Sequence, residues 1–318
     1  MLGKTLRTEL DNGVFAITLT RAAEYNTITP QLRDELAAAI DEGDAAPDAR
    51  VILLRAEGRA FCAGYELDQS TANQAGEARR EAPDRRPSTT VEARTEAPDR
   101  RPSRADEART EAPDRRRPRV WDSVADLRMM SRFVNTYMKL WYAAKPTLAA
   151  VQGWCVGGGT DMVLCADLIV AGESARFGYP PSRVWGTPTT AMWVYRMGLE
   201  RAKRYMLTGD EIPAAKAAEI GLILECVPDA DLDRHARALA ERMAQVPTTQ
   251  LVMLKLLCNQ TAENMGLGSS RTLGTLFDGI ARHTQEGLDF VARAREVGFR
   301  QAVRERDDPF GDYGSRKR

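Results

Sequence analysis

Apolar residues recur along the chain with two different periods, one typical of strands and one typical of helices. Strand-like alternation or short apolar runs occupy residues 13–20, 50–56, 59–64, 147–151 and 168–171. Helical spacing occupies residues 30–42 and 124–144, and a further helix begins at residue 158. The pair Thr29-Pro30 marks a helix start, because proline fits the first helical turn and lacks a donor that the turn would leave unpaired. Strands that alternate with helices in this way predict an α/β fold.

The pattern changes near residue 226. From residue 232 to residue 303 the apolar positions fall into three or four amphipathic helices. We therefore predict an α/β core over residues 1–225 and an all-helical region over residues 226–318. The helical region carries more apolar positions than it can bury alone, and this favours docking onto a neighbouring subunit.

Residues 77–121 interrupt the core with a repeat of period 15. EARREAPDRRPSTTV is followed by EARTEAPDRRPSRAD and EARTEAPDRRRPRVW. The block has 13 basic and 10 acidic side chains, a net charge of +3, and almost no apolar residues, so burial cannot offset the entropy lost on ordering it. We predict an inserted, mostly disordered loop. A tandem duplication tolerated at the surface explains it better than a basic arm for RNA.

Composition narrows the functional class. The chain has 318 residues, 43% of them hydrophobic, and no formal net charge, so no global field favours nucleic acid or a membrane surface. No apolar run approaches the roughly 20 residues of a membrane span, and the first residues do not match a signal peptide. Five scattered cysteines and two histidines lack zinc-ligand spacing, so we predict no metal site and a cytoplasmic location.

The run from Lys145 to Asp161 carries the clearest chemical signal. A strand there leads into Gly157-Gly158-Gly159 and then into a helix. Glycines let a ligand approach the backbone, and the first N–H groups of a helix have no internal acceptor. Such a turn suits an anion, or a carbonyl oxygen that becomes anionic during a reaction. The same glycines also suit close strand–helix packing, and they match neither a dinucleotide fingerprint nor a P-loop.

Together with a second stretch, this run resembles the crotonase (enoyl-CoA hydratase/isomerase) family. The second stretch is RAFCAGYEL at 59–67, which is similar to the family's Phe-x-Ala-Gly-x-Asp-Leu segment. Further landmarks in the same order are LTR at 19–21, CAD at 165–167, ARFG at 175–178, LTGD at 207–210 and AAEIGL at 217–222. The resemblance implies a crotonase-like ββα spiral core with an all-helical C-terminal extension. It also implies assembly into a homotrimer or a dimer of trimers.

The resemblance assigns an acyl-CoA thioester as the ligand, so coenzyme A belongs to the substrate and no separate cofactor is implied. The backbone N–H groups of Ala63 and Gly158 match the family's oxyanion hole, which binds the thioester carbonyl and stabilises the enolate that forms there. The positions that would line the path of coenzyme A, or meet its phosphates, are Ala63, Gly64, Tyr65, Glu66 and Arg21.

Hydratases of this family use two glutamates, and this chain has neither. The first, which holds and activates water, falls at Asp161, a shorter carboxylate three residues after Gly158. The second, which exchanges a proton at the α-carbon, falls at Pro181, which can neither give nor take a proton. A structural alternative makes Asp161 a cap of the helix start. The polar residues near enough in sequence to substitute, although each is more typical of a structural role, are Tyr65, Tyr179, Ser182 and Arg183.

The sequence therefore predicts an enoyl-CoA hydratase-like hydro-lyase with Asp161 as its one obvious acid/base. The predicted reaction is reversible addition of water to a 2-enoyl-CoA through an enolate held in the oxyanion hole. Pro181 leaves other reactions of the same enolate open: hydrolysis, retro-aldol cleavage or decarboxylation of an acyl-CoA. A non-catalytic acyl-CoA binder is the third hypothesis.

Overall fold

The computed structural model describes residues 3–66 and 121–314, so the predicted disordered repeat lies, apart from Trp121, outside the described residues. The strands are β1 (Leu6–Asp11), β2 (Val14–Leu19), β3 (Val51–Ala56), β4 (Ala60–Cys62), β5 (Thr147–Val151), β6 (Trp154–Val156), β7 (Leu168–Gly172), β8 (Arg176–Gly178), β9 (Ile212–Pro213) and β10 (Glu225–Val227). The helices are α1 (Pro30–Ala45), α2 (Ser123–Tyr142), α3 (Gly158–Val163), α4 (Met192–Met197), α5 (Leu199–Met206), α6 (Ala214–Glu219), α7 (Leu232–Ala244), α8 (Thr248–Asn264), α9 (Leu267–Arg282), α10 (Gln285–Val297) and α11 (Phe299–Asp307). Short 3₁₀ turns occupy Ala22–Glu24, Pro180–Arg183 and Asp229–Asp231. Strands alternate with helices, so the predicted α/β fold is confirmed.

The larger sheet has the strand order β1-β2-β3-β5-β7-β10. Strands β1 and β2 pair antiparallel through a tight turn, and the other neighbours pair parallel. The turn residues Asn12 and Gly13 have φ of 50° and 78°, the left-handed conformation that an Asn-Gly hairpin turn needs. Parallel strands need helical crossovers, and these are supplied by the helices between β2 and β10.

Both faces of this sheet are covered. Alternate residues of β3 point to opposite faces, so Val51 and Leu53 join a different cluster from Ile52 and Leu54. Helix α7 covers the Val51 face with alanines at every fourth position, which let the helix lie close to the sheet. Strand β10 spans the predicted division at residue 225, and α7 beyond it packs on the core, so no gap in the packing separates the two predicted parts.

The smaller sheet, β4-β6-β8-β9, places the two sequence motifs side by side. Strand β4 pairs with β6 in parallel, and β6 leads directly into α3. A Cβ on Gly159 would lie 2.4 Å from the carbonyl oxygen of Cys62, so only glycine lets the start of α3 approach β4 this closely. The glycine run therefore serves close packing and also brings the end of β4 to the start of α3.

The helical region contains five helices, α7 to α11, within the described residues, where the sequence predicted three or four. Gly266 (φ 89°) separates α8 from α9 and Gly298 (φ 84°) separates α10 from α11, because each adopts the left-handed conformation that ends a helix. Large apolar side chains on α8, α9 and α10 remain exposed, namely Met253, Leu254, Leu256, Leu257, Leu273, Phe277, Ile280 and Leu288. None of the helices in the described part of the chain has the length and apolar character to cross a membrane.

Candidate active site

Two backbone segments meet at the glycine turn between β6 and α3. A Cβ on Gly64 would lie 3.1 Å from the carbonyl oxygen of Val156 and 3.7 Å from the nitrogen of Gly158. Gly64 (φ 90°) and Gly157 (φ 57°) both adopt the left-handed conformation that favours glycine. The N–H of Gly157 donates to the carbonyl of Gly178 (2.9 Å), which fixes the turn to β8. The segment after β4 therefore lies directly against the first residue of α3.

Backbone pairing decides which N–H groups at this junction are available. The parallel bridge to Ile28 uses the carbonyl of Gly64 and the N–H of Glu66, so the N–H of the intervening residue, Tyr65, points the other way. Gly158 is the first residue of α3, where a helix leaves its N–H groups without internal partners. Within residues 3–66 and 121–314, the N–H groups of Tyr65 and Gly158 donate to no protein acceptor.

The N–H of Ala63, the predicted first donor of the oxyanion hole, already has a partner. It donates to the carbonyl of Tyr25 at 3.1 Å. Tyr25 occupies a left-handed turn after the Ala22–Glu24 helical turn, which brings its carbonyl to Ala63. The structure therefore does not support Ala63 as a donor, and the N–H left for that role on this segment is that of Tyr65.

Asp161 lies in the first turn of α3 with its side chain fully buried. Its Oδ2 accepts hydrogen bonds from the N–H (2.7 Å) and the hydroxyl (2.8 Å) of Thr189, and its Oδ1 accepts one from Trp193 Nε1 (3.3 Å). No side chain caps the start of α3, so the capping alternative for Asp161 is wrong. Burial raises the pKa of Asp161 to about 7, against the lowering effect of the donors from Thr189 and Trp193.

Pro181 lies beside the glycine turn. This is the position at which the family's second glutamate was expected and the sequence has proline instead. Its Cγ is 3.8 Å from the position that a Cβ on Gly157 would occupy. Its carbonyl accepts the N–H groups of Trp185 (2.9 Å) and Gly186 (3.0 Å), which holds the 3₁₀ turn in place. Pro181 therefore contributes an apolar wall and a backbone anchor, with no group that exchanges protons.

Arg183, one candidate substitute for the second glutamate, forms ion pairs with residues near the C-terminus of the described chain. Its Nη1 and Nη2 pair with Asp307 at 2.9 Å and Asp312 at 2.7 Å, and its side chain is only 2% exposed. This buried ion-pair cluster fastens the end of the chain to the turn after β8. Arg183 has a structural role, as the sequence reasoning favoured.

Aromatic side chains form one wall of the site. A Cβ on Gly158 would lie 2.7 Å from Cε2 of Tyr65, so the Tyr65 ring covers Gly158. The Tyr137 hydroxyl donates to the Tyr65 hydroxyl at 3.2 Å, and Phe133 meets the Tyr65 ring edge-on with centroids 5.4 Å apart. Burial raises the pKa of both phenols, so they remain neutral hydrogen-bonding groups.

Arg21 and Glu66, two of the predicted contacts for coenzyme A, form an ion pair with each other. Arg21 Nη2 lies 3.1 Å from Glu66 Oε1, and Nη1 donates to the carbonyl of Thr27 at 2.8 Å. Both side chains are mostly buried, with 18% and 23% exposed. The pair tethers the segment that carries Tyr65 to the turn after β2.

A second buried carboxylate, Asp278 on α9, interacts electrostatically with Asp161 and was not predicted from the sequence. The two are far apart in the chain, and the one local signal was the i,i+4 spacing of Asp278 and Arg282 within an apolar helix. Arg282 Nε donates to Asp278 Oδ2 at 3.0 Å. Repulsion from Asp278 contributes to the raised pKa of Asp161, so the two carboxylates belong to one electrostatic cluster.

Nowhere in 3–66 and 121–314 do three or more His, Cys, Asp or Glu side chains gather as ligands for an ion. All five cysteines fall within these ranges, and each is a free thiol. The polar groups described at the site are backbone N–H donors, carboxylates and phenols.

Comparison with known proteins identifies the class to which this fold and site belong. The model of the family described as enoyl-CoA hydratase/isomerase matches residues 9–88 and 124–302. The chain belongs to this family, the crotonases, and the predicted crotonase-like α/β fold with a helical C-terminal extension is confirmed.

Individual relatives agree with this assignment. A crystal structure of an enoyl-CoA hydratase from Mycobacterium smegmatis is 41% identical, has a TM-score of 0.81 and covers 98% of this chain and 96% of that chain. A putative enoyl-CoA hydratase, EchA13, from Mycobacterium tuberculosis is 30% identical over 269 residues, which are 82% of this chain and 74% of that protein. A 1,2-epoxyphenylacetyl-CoA isomerase from Escherichia coli is 25% identical over 260 residues, which are 80% of this chain and 82% of that protein.

Proposed function

We propose that the protein adds water reversibly to the 2,3-double bond of a 2-enoyl-CoA thioester. The observation that carries the proposal is the pair of N–H groups of Tyr65 and Gly158. Neither has a protein acceptor in the described part of the chain, and both lie where the segment after β4 meets the start of α3. Family membership and the names of relatives such as the M. smegmatis enoyl-CoA hydratase support a CoA thioester as the ligand.

In this proposal the thioester carbonyl oxygen accepts both N–H groups. As water adds at C3, negative charge moves onto that oxygen, and the two donors stabilise the enolate more than the ground-state carbonyl. The start of α3 adds positive potential at the same point. Loss of one such donor costs roughly 3–4 kcal/mol of transition-state stabilisation in other enzymes.

Asp161 is the proposed base that holds and activates the water. A carboxylate offers about four acceptor sites, and three donors from Thr189 and Trp193 occupy it, which leaves a site for water. A pKa raised to about 7 suits a group that takes up and returns a proton at neutral pH. Arg21, partly exposed beside the Tyr65 segment, is the proposed contact for a coenzyme A phosphate.

The test is hydration by the purified protein of crotonyl-CoA and of longer 2-enoyl-CoAs, followed by loss of the enoyl absorbance. We expect turnover by the native protein and a 10²–10⁴-fold lower rate for Asp161→Asn, the range that general acid–base catalysis supplies. Asp167→Asn serves as a control, because Asp167 is a partly buried carboxylate close in sequence that pairs with Lys255 at 2.8 Å. Native protein that hydrates none of these thioesters contradicts the proposal.

A different reaction of the same enolate is the second candidate, and Pro181 is the observation that favours it. Hydrolysis, retro-aldol cleavage and decarboxylation use the same oxyanion hole without a glutamate at position 181. Pro181→Glu separates the candidates: if hydration rises sharply while another thioester-consuming activity falls, simple hydration is not the native reaction. Tight calorimetric binding of an acyl-CoA without turnover of any thioester favours a silent binder instead.

We further propose that the protein acts as a homotrimer or a dimer of trimers in the cytoplasm. The exposed apolar side chains of α8 and α9, among them Leu257 (71% exposed) and Met253 (56% exposed), support burial against another copy. Five free thiols suit a reducing compartment. Light scattering of the eluted protein tests the assembly, and a monomer at micromolar concentration contradicts it.

A further inference from the structure

Helix α9 packs tightly on the loop Thr187–Thr189. The Thr187 hydroxyl donates to the carbonyl of Gly274 at 3.1 Å, and the Thr275 hydroxyl donates to the carbonyl of Thr189 at 3.3 Å. A Cβ on Gly274 would lie 2.7 Å from the carbonyl oxygen of Pro188, so the two backbones touch. The same loop binds Asp161 through Thr189, which places α9 on one side of the loop and Asp161 on the other.

Asp278 lies on the face of α9 that meets this loop, one turn after Gly274 and Thr275. The N–H of Thr187 donates to its carboxylate. Asp278 is 6% exposed; its carboxylate accepts a hydrogen bond from Arg282 and interacts electrostatically with Asp126, Tyr179 and Asp161. Both buried carboxylates of the cluster therefore border a single short loop.

The position of Asp278 is also adjacent to Pro181. A Cβ on Gly186 would lie 2.9 Å from Pro181 Cβ, 3.3 Å from Asp278 Oδ1 and 3.6 Å from a ring carbon of Tyr179. Oδ1 of Asp278 thus lies across Gly186 from the residue that replaces the predicted second acid/base. A glycine at 186 leaves the gap between them free of side-chain atoms.

Arg282 orients the Asp278 carboxylate from the side remote from Gly186. Its Nε donates to Asp278 Oδ2, while Nη1 and Nη2 make a two-pronged contact with Asp126 at 2.9 Å each. A Cβ on Gly279 would lie 2.4 Å from Asp126 Oδ2, so a larger residue at 279 would have to displace the Asp126 carboxylate. Arg282 engages Oδ2, and this arrangement turns Oδ1 toward Gly186 and Pro181.

We propose that Asp278 is the second acid/base of the site and exchanges the proton at the α-carbon of the acyl group, in place of residue 181. The inference rests on the proposed function, because it assigns the proton transfer at the α-carbon, which Asp161 does not perform in that proposal. It places the two proton-transfer groups on α3 and α9, joined through the loop Thr187–Thr189.

The proton and electron balance can be followed in the dehydration direction. The Asp278 carboxylate takes the C2 proton of a 3-hydroxyacyl-CoA, and the C–H electron pair becomes the enolate held by Tyr65 N–H and Gly158 N–H. The enolate then forms the 2,3-double bond as the C3–O bond breaks, and the protonated Asp161 carboxyl gives its proton to the departing hydroxide. Water leaves, and hydration follows the same steps in reverse.

Exchange of the C2 protons of butyryl-CoA in deuterium oxide isolates this step, because a saturated thioester has no hydroxyl to lose. We expect the native protein to introduce deuterium at C2, measured by mass spectrometry. Asp278→Asn is expected to slow the exchange by about 10²-fold or more, with the affinity for butyryl-CoA unchanged. Asp161→Asn is expected to lower hydration by 10²–10⁴-fold and to lower the exchange much less than Asp278→Asn does.

Two further variants distinguish a role of Asp278 in proton transfer from a role in the stability of the ion-pair cluster. Asp126→Asn weakens the other ion pair of Arg282 and removes no proposed proton-transfer group, so its exchange rate is expected to remain within a few-fold of native. Asp278→Glu keeps the charge that pairs with Arg282, so it provides a second test if Asp278→Asn does not fold. It is expected to retain more exchange than Asp278→Asn.

The outcomes separate this inference from the proposed function. Exchange that Asp278→Asn leaves unchanged, or that Asp126→Asn lowers equally, overturns the role of Asp278 even if the native protein hydrates enoyl-CoA. The absence of native exchange overturns it as well. Native exchange that depends on Asp278, in a protein that hydrates no enoyl-CoA, supports Asp278 and refutes hydration.

Discussion

The carboxylate of Asp161 and the backbone of Thr189 are joined by a hydrogen bond of 2.7 Å, with the Thr189 hydroxyl adding a second at 2.8 Å. Both donors approach the same oxygen, Oδ2, which leaves Oδ1 with the single longer contact from Trp193. Hydrogen bonds to an ionised carboxylate favour the charged form. Thr189 therefore moderates the effect of burial on Asp161, and it does so from a loop that α9 holds in place.

Removal of the Thr189 hydroxyl is expected to shift the pH dependence of activity. Thr189→Val keeps the backbone donor and the side-chain shape but deletes one hydrogen bond to the carboxylate, so the pKa of Asp161 rises further. Since water activation needs the ionised form, the rising limb of kcat/KM, expected near pH 7 in the native protein, moves up by about one pH unit. If the rising limb of kcat/KM lies at the same pH in Thr189→Val as in the native protein, a group other than Asp161 controls it.

Stability is expected to depend on pH through Asp161. Its pKa is raised from 3.8 to about 7, so the folded state binds this proton more tightly than the unfolded state. The contribution of Asp161 is therefore greatest below pH 4 and is lost as the pH rises through 7.

The measurement is the free energy of unfolding in urea of the native protein and of Asp161→Asn at pH 4 and pH 8. Relative to the variant, the native protein is expected to lose on the order of 4 kcal/mol over this range. A difference between the two proteins that does not change with pH contradicts the burial effect at Asp161.

Substitution of Gly158 is expected to close the oxyanion pocket. A Cβ there would lie 2.7 Å from Tyr65 Cε2 and 3.0 Å from Ile28 Cδ1. Gly158→Ala is therefore expected to displace the Tyr65 segment, to cost roughly 1–3 kcal/mol of stability and to lower kcat/KM by about 10²-fold or more.

Gly268→Ala is the matched control for this substitution. Gly268 is also helical, and the nearest atom to an added Cβ is 4.0 Å away. The kcat/KM of Gly268→Ala is expected to equal that of the native protein. Its melting temperature is expected to equal or slightly exceed the native value, because alanine favours helix. Native-like activity of Gly158→Ala would contradict the proposed role of this turn.

Arg21 is expected to act in binding rather than in chemistry. Arg21→Gln removes the charge that would meet a coenzyme A phosphate and breaks the pair with Glu66. We expect KM for an acyl-CoA to rise about 10-fold with kcat little changed, the signature of lost uniform binding. Glu66→Gln breaks the same pair without removing the cation, so an equal rise in KM in both variants would assign the effect to the ion pair.

The sequence carried enough information to predict the strands and the glycine turn. The strand pattern of residues 13–20 and 50–56 reflects alternate burial on two sheet faces. Gly157 is favoured by its positive φ, and Gly158 and Gly159 by close approaches of neighbouring atoms. These are local constraints, so they are visible in local sequence.

Other parts of the site depend on contacts between distant segments and were not predictable from local pattern. The N–H of Ala63 is unavailable because the carbonyl of Tyr25 reaches it, and nothing within the motif itself indicates that contact. Asp278 lies beside the loop because α9 packs on it, and Gly274 permits the close approach of the two backbones. The same dependence on distant packing explains the buried position of Asp161 between Thr189 and Trp193.

The proposed donors of the oxyanion hole, Tyr65 and Gly158, act through their main-chain N–H groups. Any residue except proline carries such a group, so side-chain substitution at position 65 can reshape the pocket without deleting the electrophilic catalyst. If these donors act as proposed, polarisation of a thioester depends on the backbone, while the side chain at position 65 can change the acyl group that is accepted. In a lineage of such proteins, new substrates can be gained one side chain at a time without an intermediate that has lost its reactivity.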